Sequence, residues 1–181
     1  MKWNKSLLFG AALLAGMTQT AEAQTIGEWV GYSPWDSNFF GSAFHAGGSN
    51  GAYICFNGQD GLIGVSGIDA NNQGYCQYTY NGNSYYSPNG YFAVLHTSGS
   101  HYRWDSHEKF NQSGYTPISV QASPNVIRQS DTRIYPCKTG SHTWHADRIG
   151  YYLPSHGKCY YMVRWGQQSS RTDSFEVLYA N

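Results

Sequence analysis

The chain has 181 residues with 11 basic and 11 acidic side chains, a formal net charge of zero, and only 12% charged residues. That balance leaves no electrostatic case for nucleic acid or an anionic membrane as partner. The excess lies instead in 16 Tyr, 6 Trp and 21 Gly, a composition that favours pleated strands joined by tight turns.

Taken from the N-terminus, Lys2 and Lys5 flank the apolar run Leu7 to Ala15, and Ala21-Glu22-Ala23 forms a small-x-small cleavage signal. The run is too short for a permanent membrane helix. Residues 1–23 are therefore expected to be a signal peptide, and the protein to be periplasmic or secreted after cleavage near Ala23. The Ala-x-Ala ending and short signal favour a bacterial periplasm as first destination. Met17 stands where a lipid-anchored protein would carry cysteine, and no later run is apolar enough to span a membrane. Removing 23 of the 181 residues leaves 158, with nine basic and ten acidic side chains. That is one domain's worth, or two small repeats sharing a core.

The remaining chain reads as one motif written twice. Ala52-Tyr53-Ile54-Cys55 matches Ile134-Tyr135-Pro136-Cys137, and the next cysteine follows after 21 residues at Cys76 and after 22 at Cys159. Aromatic strands begin at both second cysteines. Nineteen residues further on, each copy closes in Phe-x-Val-Leu, at Phe92 to Leu95 and Phe175 to Leu178. Trp35-Asp36-Ser37 and Trp104-Asp105-Ser106 read as the openings of the two units. Four cysteines in an oxidising compartment imply two disulfides among three pairings. Equivalent cysteines should do equivalent jobs, which selects Cys55–Cys76 and Cys137–Cys159, with bridges between repeats as the alternative.

Asn81-Gly82, Pro88-Asn89-Gly90 and Ser155-His156-Gly157 mark turns between strands. The polar, turn-rich stretch Glu108 to Pro124 reads as the connection between repeats. No segment after the signal has a helical period. The expected fold is all-β: two tandem antiparallel repeats, at 24–100 and 101–181, forming a β-sandwich-like domain.

From about Trp35 to Leu178 the chain resembles the tandem DM-nine repeat family. The likeness rests on Ile134-Tyr135-Pro136-Cys137-Lys138, Pro154-Ser155-His156-Gly157 and Phe175-Glu176-Val177-Leu178. The resemblance implies a tandem all-β fold and a lectin that recognises mannose-containing glycans. Departures concentrate in the first copy, where Ile54-Cys55-Phe56 loses the glycine and cation of the family's Ile-Gly-Arg. The acidic loop residue is matched by Asp131 but only by Asn50 in the first copy. The family's lysine falls on Tyr151 and Ile68.

Sugar binding needs an aromatic face for the apolar side of a pyranose and convergent polar groups for its hydroxyls. The second copy offers Asp131, Arg133, Lys138, Trp144, His145, Asp147 and Tyr151; the first offers Asn50, Gln59, Asp60 and Asp69. His142-x-x-His145 with Asp147 lacks the helical spacing of a zinc site and reads as a turn. No nucleophile elbow, HExxH or phosphate loop is present, and paired cysteines leave no thiol nucleophile. The expected function is that of an exported carbohydrate-binding, lectin-like protein without cofactor or metal. The alternatives are a protein-interaction module for an envelope or host protein, or a glycan-cleaving enzyme using two carboxylates.

Overall fold

The computed structural model describes residues 27–47, 52–88, 91–97, 101–123, 131–140, 148–163 and 167–181; the expected signal peptide lies outside them. Among these residues there is no α-helix, only short 3-10 turns at Phe39–Ser42, His107–Lys109 and Pro154–His156. None of the described segments is a helix long and apolar enough to cross a membrane.

The first sheet contains β1 (Glu28–Gly31), β2 (Tyr53–Asn57), β3 (Leu62–Ile68), β4 (Gly74–Tyr80), β5 (Asn83–Pro88) and β6 (Phe92–His96), in the order β1-β6-β2-β3-β4-β5. The second is built from β7 (Tyr102–Ser106), β10 (Arg133–Thr139), β11 (Arg148–Leu153), β12 (Lys158–Met162), β13 (Gln168–Arg171) and β14 (Phe175–Ala180). Its order is β7-β14-β10-β11-β12-β13, with the short β8 (Thr116–Pro117) added on β14 and β9 (Val120–Gln121) on β10. All pairs are antiparallel, and one order appears twice. The register repeats too. Cys55 lies opposite Gly64 and Val94, and Cys137 lies opposite Gly150 and Val177.

Both expected disulfides form, Cys55–Cys76 and Cys137–Cys159, and their cysteines are fully buried. Each joins strands that have a third strand between them, yet the bridged Cα atoms are 5.8 and 5.9 Å apart. Flat neighbours one strand removed would lie roughly 9–10 Å apart. Each sheet therefore creases about its middle strand. A glycine sits at both creases, and a Cβ added there would lie 2.0 Å from the Gln77 carbonyl oxygen at Gly64 and 1.8 Å from that of Tyr160 at Gly150.

The sheets stack face to face, with β3 against β11 and β4 against β12, so equivalent strands meet each other. Strand alternation sends Ile54, Ile63 and Leu95 into this interface from one side, and Ile149, Tyr151 and Leu178 from the other; all six belong to one buried cluster. The outer face of the second sheet holds Cys137, Tyr152, Cys159, Phe175, Val177 and Tyr179, covered by Phe110 and Tyr115. Hairpin chemistry follows the turn signals. Asn81 and Gly82 both have positive φ, 49° and 82°, as a two-residue β-hairpin turn with matching twist requires. Gly157, at φ 60°, ends the turn before Cys159.

Two expectations need correction. Trp35 does not open the first repeat in the way Trp104 opens the second. Trp104 lies opposite Leu178, and the residue opposite the equivalent Leu95 is Trp29. The triplet match at Trp35-Asp36-Ser37 is local, whereas strand register assigns the role. Nor is the stretch expected at 108–124 a connector between repeats over its described residues, 108–123. It follows β7 inside the second sheet's unit, where Phe110 and Tyr115 cover the outer face and Ile118 and Val120 are buried in the shared core. Its polar residues alternate with those anchors, which hides the packing role from composition.

Candidate functional site

The second-copy candidates divide between two ends of β10. At its start, the Asp131 carboxylate accepts hydrogen bonds from the Ser155 backbone N–H (3.1 Å) and from the Ser155 hydroxyl, tying the strand's entry to the Pro154–His156 turn. The next residue, His156, has Nδ1 2.7 Å from the Tyr160 hydroxyl, its ring edge-on to that tyrosine. Tyr160 in turn stacks on Tyr151, with centroids 5.4 Å apart and planes inclined by 20°. Arg133 donates through Nε to the Ser119 hydroxyl at 2.9 Å.

Lys138 belongs elsewhere. It lies five residues along the strand from Arg133, about 17 Å, with Nζ 3.0 Å from Glu176 and 5.1 Å from the centre of the Trp104 ring. The register makes it the counterpart of Phe56, which packs edge-on against Trp29, so against Trp104 the lysine takes the place that Phe56 takes against Trp29. Tyr151 is buried between the sheets, and its hydroxyl accepts from Gln168 Nε2 at 2.9 Å. Burial pushes the Tyr151 hydroxyl pKa strongly upward, with the Gln168 bond opposing it, and burial raises Tyr160 as well. Both remain neutral phenols. Trp144, His145 and Asp147 lie outside the described residues, as do His142 and Asn50.

In the first copy Asp60 receives the Tyr78 hydroxyl hydrogen bond, and its own N–H donates to Asn57 Oδ1 at 2.7 Å. Desolvation and this carboxylate together drive the Tyr78 pKa upward. Asp69 Oδ1 accepts from Asn71 N and Gln73 N, both at 2.9 Å, and so organises the β3–β4 turn. Gln59 is exposed. These carboxylates hold turns together, and nothing gathers them into one site. Among the described residues no cluster of three His, Cys, Asp or Glu side chains could hold a metal.

The structure does show a concavity that sequence reasoning does not single out. It lies between the segment after β1 and the β3–β4 turn, with Tyr32, Phe39 and Phe40 as aromatic walls and Asp36, Ser37 and Asn72 supplying polar groups. Tyr32 is held by stacking on Phe92 (4.7 Å) and by accepting the Gly74 N–H at 2.8 Å. Asp36 Oδ1 accepts from Asn38 N at 2.9 Å. A triplet that matches the second repeat in letters but not in register was the only signal in the sequence.

These features define a class: an all-β sandwich in which one six-stranded antiparallel unit is used twice, each copy stapled by a disulfide. No protein-family model matches the chain, and no curated protein matches it. Among solved structures the chain is similar to the nematode sperm cell motility protein MFP2B, with a TM-score of 0.61 and 15% identity, over 87% of this chain and 47% of that one. At that identity the likeness shows the fold alone, and the chain spans about half the length of that protein.

Proposed function

We propose that this is an exported, lectin-like protein that binds carbohydrate through the Asp131 end of the second repeat. The observation that carries the reading is a fixed carboxylate, Asp131 on Ser155, connected through the same turn to the His156–Tyr160 aromatic pair. A stationary acceptor and aromatic rings carried by one turn are the two kinds of group a pyranose requires, since its hydroxyls and its apolar C–H face are recognised together. The DM-nine resemblance supports a mannose-containing ligand, and two buried disulfides support passage through an oxidising compartment. The test is a glycan array probed with the purified chain lacking residues 1–23. Binding to mannose-containing glycans is expected, reduced at least tenfold by Tyr160→Ala and by Asp131→Ala. No binding to any glycan at high protein density overturns the reading.

A second reading, a protein-interaction module for an envelope or host protein, has its own observation. Tyr85, Tyr86 and Tyr91 are 40%, 51% and 69% exposed on the first repeat, and aromatic side chains are enriched at interfaces. A partner retained from envelope or host extracts in the presence of excess free mannose favours this reading over the lectin.

A further inference from the structure

Trp35 is the most exposed large apolar side chain described in the protein, at 93%. In the second repeat the matching triplet is built into the fold. Trp104 donates through Nε1 to the Ala46 carbonyl (3.2 Å) and lies beneath the Lys138 ammonium. In the first repeat Trp29 takes that structural place, which releases Trp35-Asp36-Ser37 from any role in the sheet. The released triplet borders the cleft: Pro34, Asp36 and Ser37 line it, and Trp35 lies between Pro34 and Asp36 in the chain without being part of the lining. An indole exposed to water gains nothing for folding, since its large apolar area stabilises only when buried.

We propose that this cleft and the exposed Trp35 beside it form a second binding site, which takes a neutral oligosaccharide with one sugar over the cleft and another stacked on Trp35. The chemistry selects the ligand. Aromatic walls from Tyr32, Phe39 and Phe40 suit the C–H face of a sugar, while Asp36, Ser37 and Asn72 offer acceptors and donors for hydroxyls. No Lys or Arg lines the cleft; Asp36 lies in its wall, and Asp69 anchors the turn that carries Asn72. That charge disfavours an anionic ligand. The polar part of the lining, Asp36, Ser37 and Asn72, separates a saccharide from a purely apolar peptide side chain. This proposal shares the ligand class of the Asp131 reading but rests on the opposite repeat.

The two sites can be told apart by titrating the mature protein, labelled with nitrogen-15 at tryptophan, with mannotriose, cellotriose and tri-N-acetylglucosamine, and with a heparin tetrasaccharide as anionic comparator. The Trp35 indole resonance, assigned by its loss in Trp35→Ala, is expected to shift saturably with at least one neutral trisaccharide and not with heparin. Trp35→Ala and Asp36→Asn should each weaken that binding at least tenfold, and Trp35→Ala should do so with the thermal midpoint unchanged, because Trp35 lies outside the core. If the resonance is unmoved by every neutral saccharide, or moves only with heparin, the proposal is overturned. Binding that survives Trp35→Ala but is lost in Asp131→Ala also overturns it, and leaves the Asp131 reading standing. Binding lost in Trp35→Ala and kept in Asp131→Ala supports the cleft and removes the other site.

Discussion

At the scale of single residues, His96 carries the clearest pH dependence. Its ring is 7% exposed, lies edge-on to Phe39 at 4.9 Å, and leaves Nε2 buried without a hydrogen-bond partner. Burial lowers its pKa, and the carboxylates of Glu28 and Asp36 only partly oppose that. A histidine with a depressed folded pKa binds its proton more readily when unfolded. Stability is therefore complete above the unfolded value of about 6.5 and declines as pH falls toward the lower folded value. His96→Phe keeps a ring against Phe39 and removes the titration. Urea unfolding at pH 7.5 and pH 5 should show a smaller acid-side loss in this variant than in the parent; equal losses would place the acid sensitivity elsewhere. The same scale shows why site residues were hard to read. Lys138 and Tyr151 look like ligand-binding types, but β10 and β11 turn both toward the other sheet, and nothing local to either residue says what covers it. The Pro154–His156 turn was legible from Pro154 and Gly157, but that its Ser155 would tie down Asp131 was not, because the two are 24 residues apart in the chain.

At the scale of elements, the nearly equal cysteine separations conceal unequal parts. Gly64 follows Cys55 by nine residues and precedes Cys76 by twelve, whereas Gly150 follows Cys137 by thirteen and precedes Cys159 by nine. A longer first hairpin in the second copy is offset by a shorter second one. The disulfides and the closing Phe-x-Val-Leu strands were legible because covalent and buried apolar positions constrain spacing from end to end. The creases were not, because a glycine inside a strand has several readings and its partner strand is needed to choose among them. The crease yields a sharp expectation. In Gly150→Ala the new methyl meets the backbone oxygen of Tyr160, which cannot swing aside as a side chain could. Overpacking of this kind costs about 1–3 kcal/mol, and Gly64→Ala should behave alike through Gln77. By contrast, Gly140→Ala, where an added Cβ meets nothing within 4 Å, serves as the neutral comparison. Chemical denaturation of all three variants checks this; a Gly150→Ala protein as stable as Gly140→Ala would mean the strands can part without cost.

At the scale of the whole molecule, the two sheets stand to each other as the subunits of a symmetric dimer do. Equivalent strands β3 and β11 face each other, as do β4 and β12, which is how a self-complementary interface is made. The crossing contacts follow the same pattern without being identical. Gly82 N donates to Gln168 Oε1 at 2.9 Å, Gln168 also reaches Tyr151, and the Glu28 N–H donates to the Tyr102 hydroxyl at 3.2 Å. Ile54, Ile63 and Leu95 on one side, and Ile149 and Leu178 on the other, are nearly or fully buried in the one cluster that both sheets share. A single copy would expose that face to water, and an apolar patch of this size on a small domain drives association. Residues 24–100 expressed alone are therefore expected to form a homodimer through the inner face of the first sheet, or to aggregate, and not to persist as a folded monomer. Mixing with residues 101–181 should recover a one-to-one complex, because the native pairing also restores the Gly82–Gln168 and Glu28–Tyr102 bonds. Sedimentation velocity of each half and of the mixture reads this directly. A folded, monodisperse first half at the mass of one copy would show that the shared core is dispensable, and that each repeat, with its own crease and disulfide, is complete in itself.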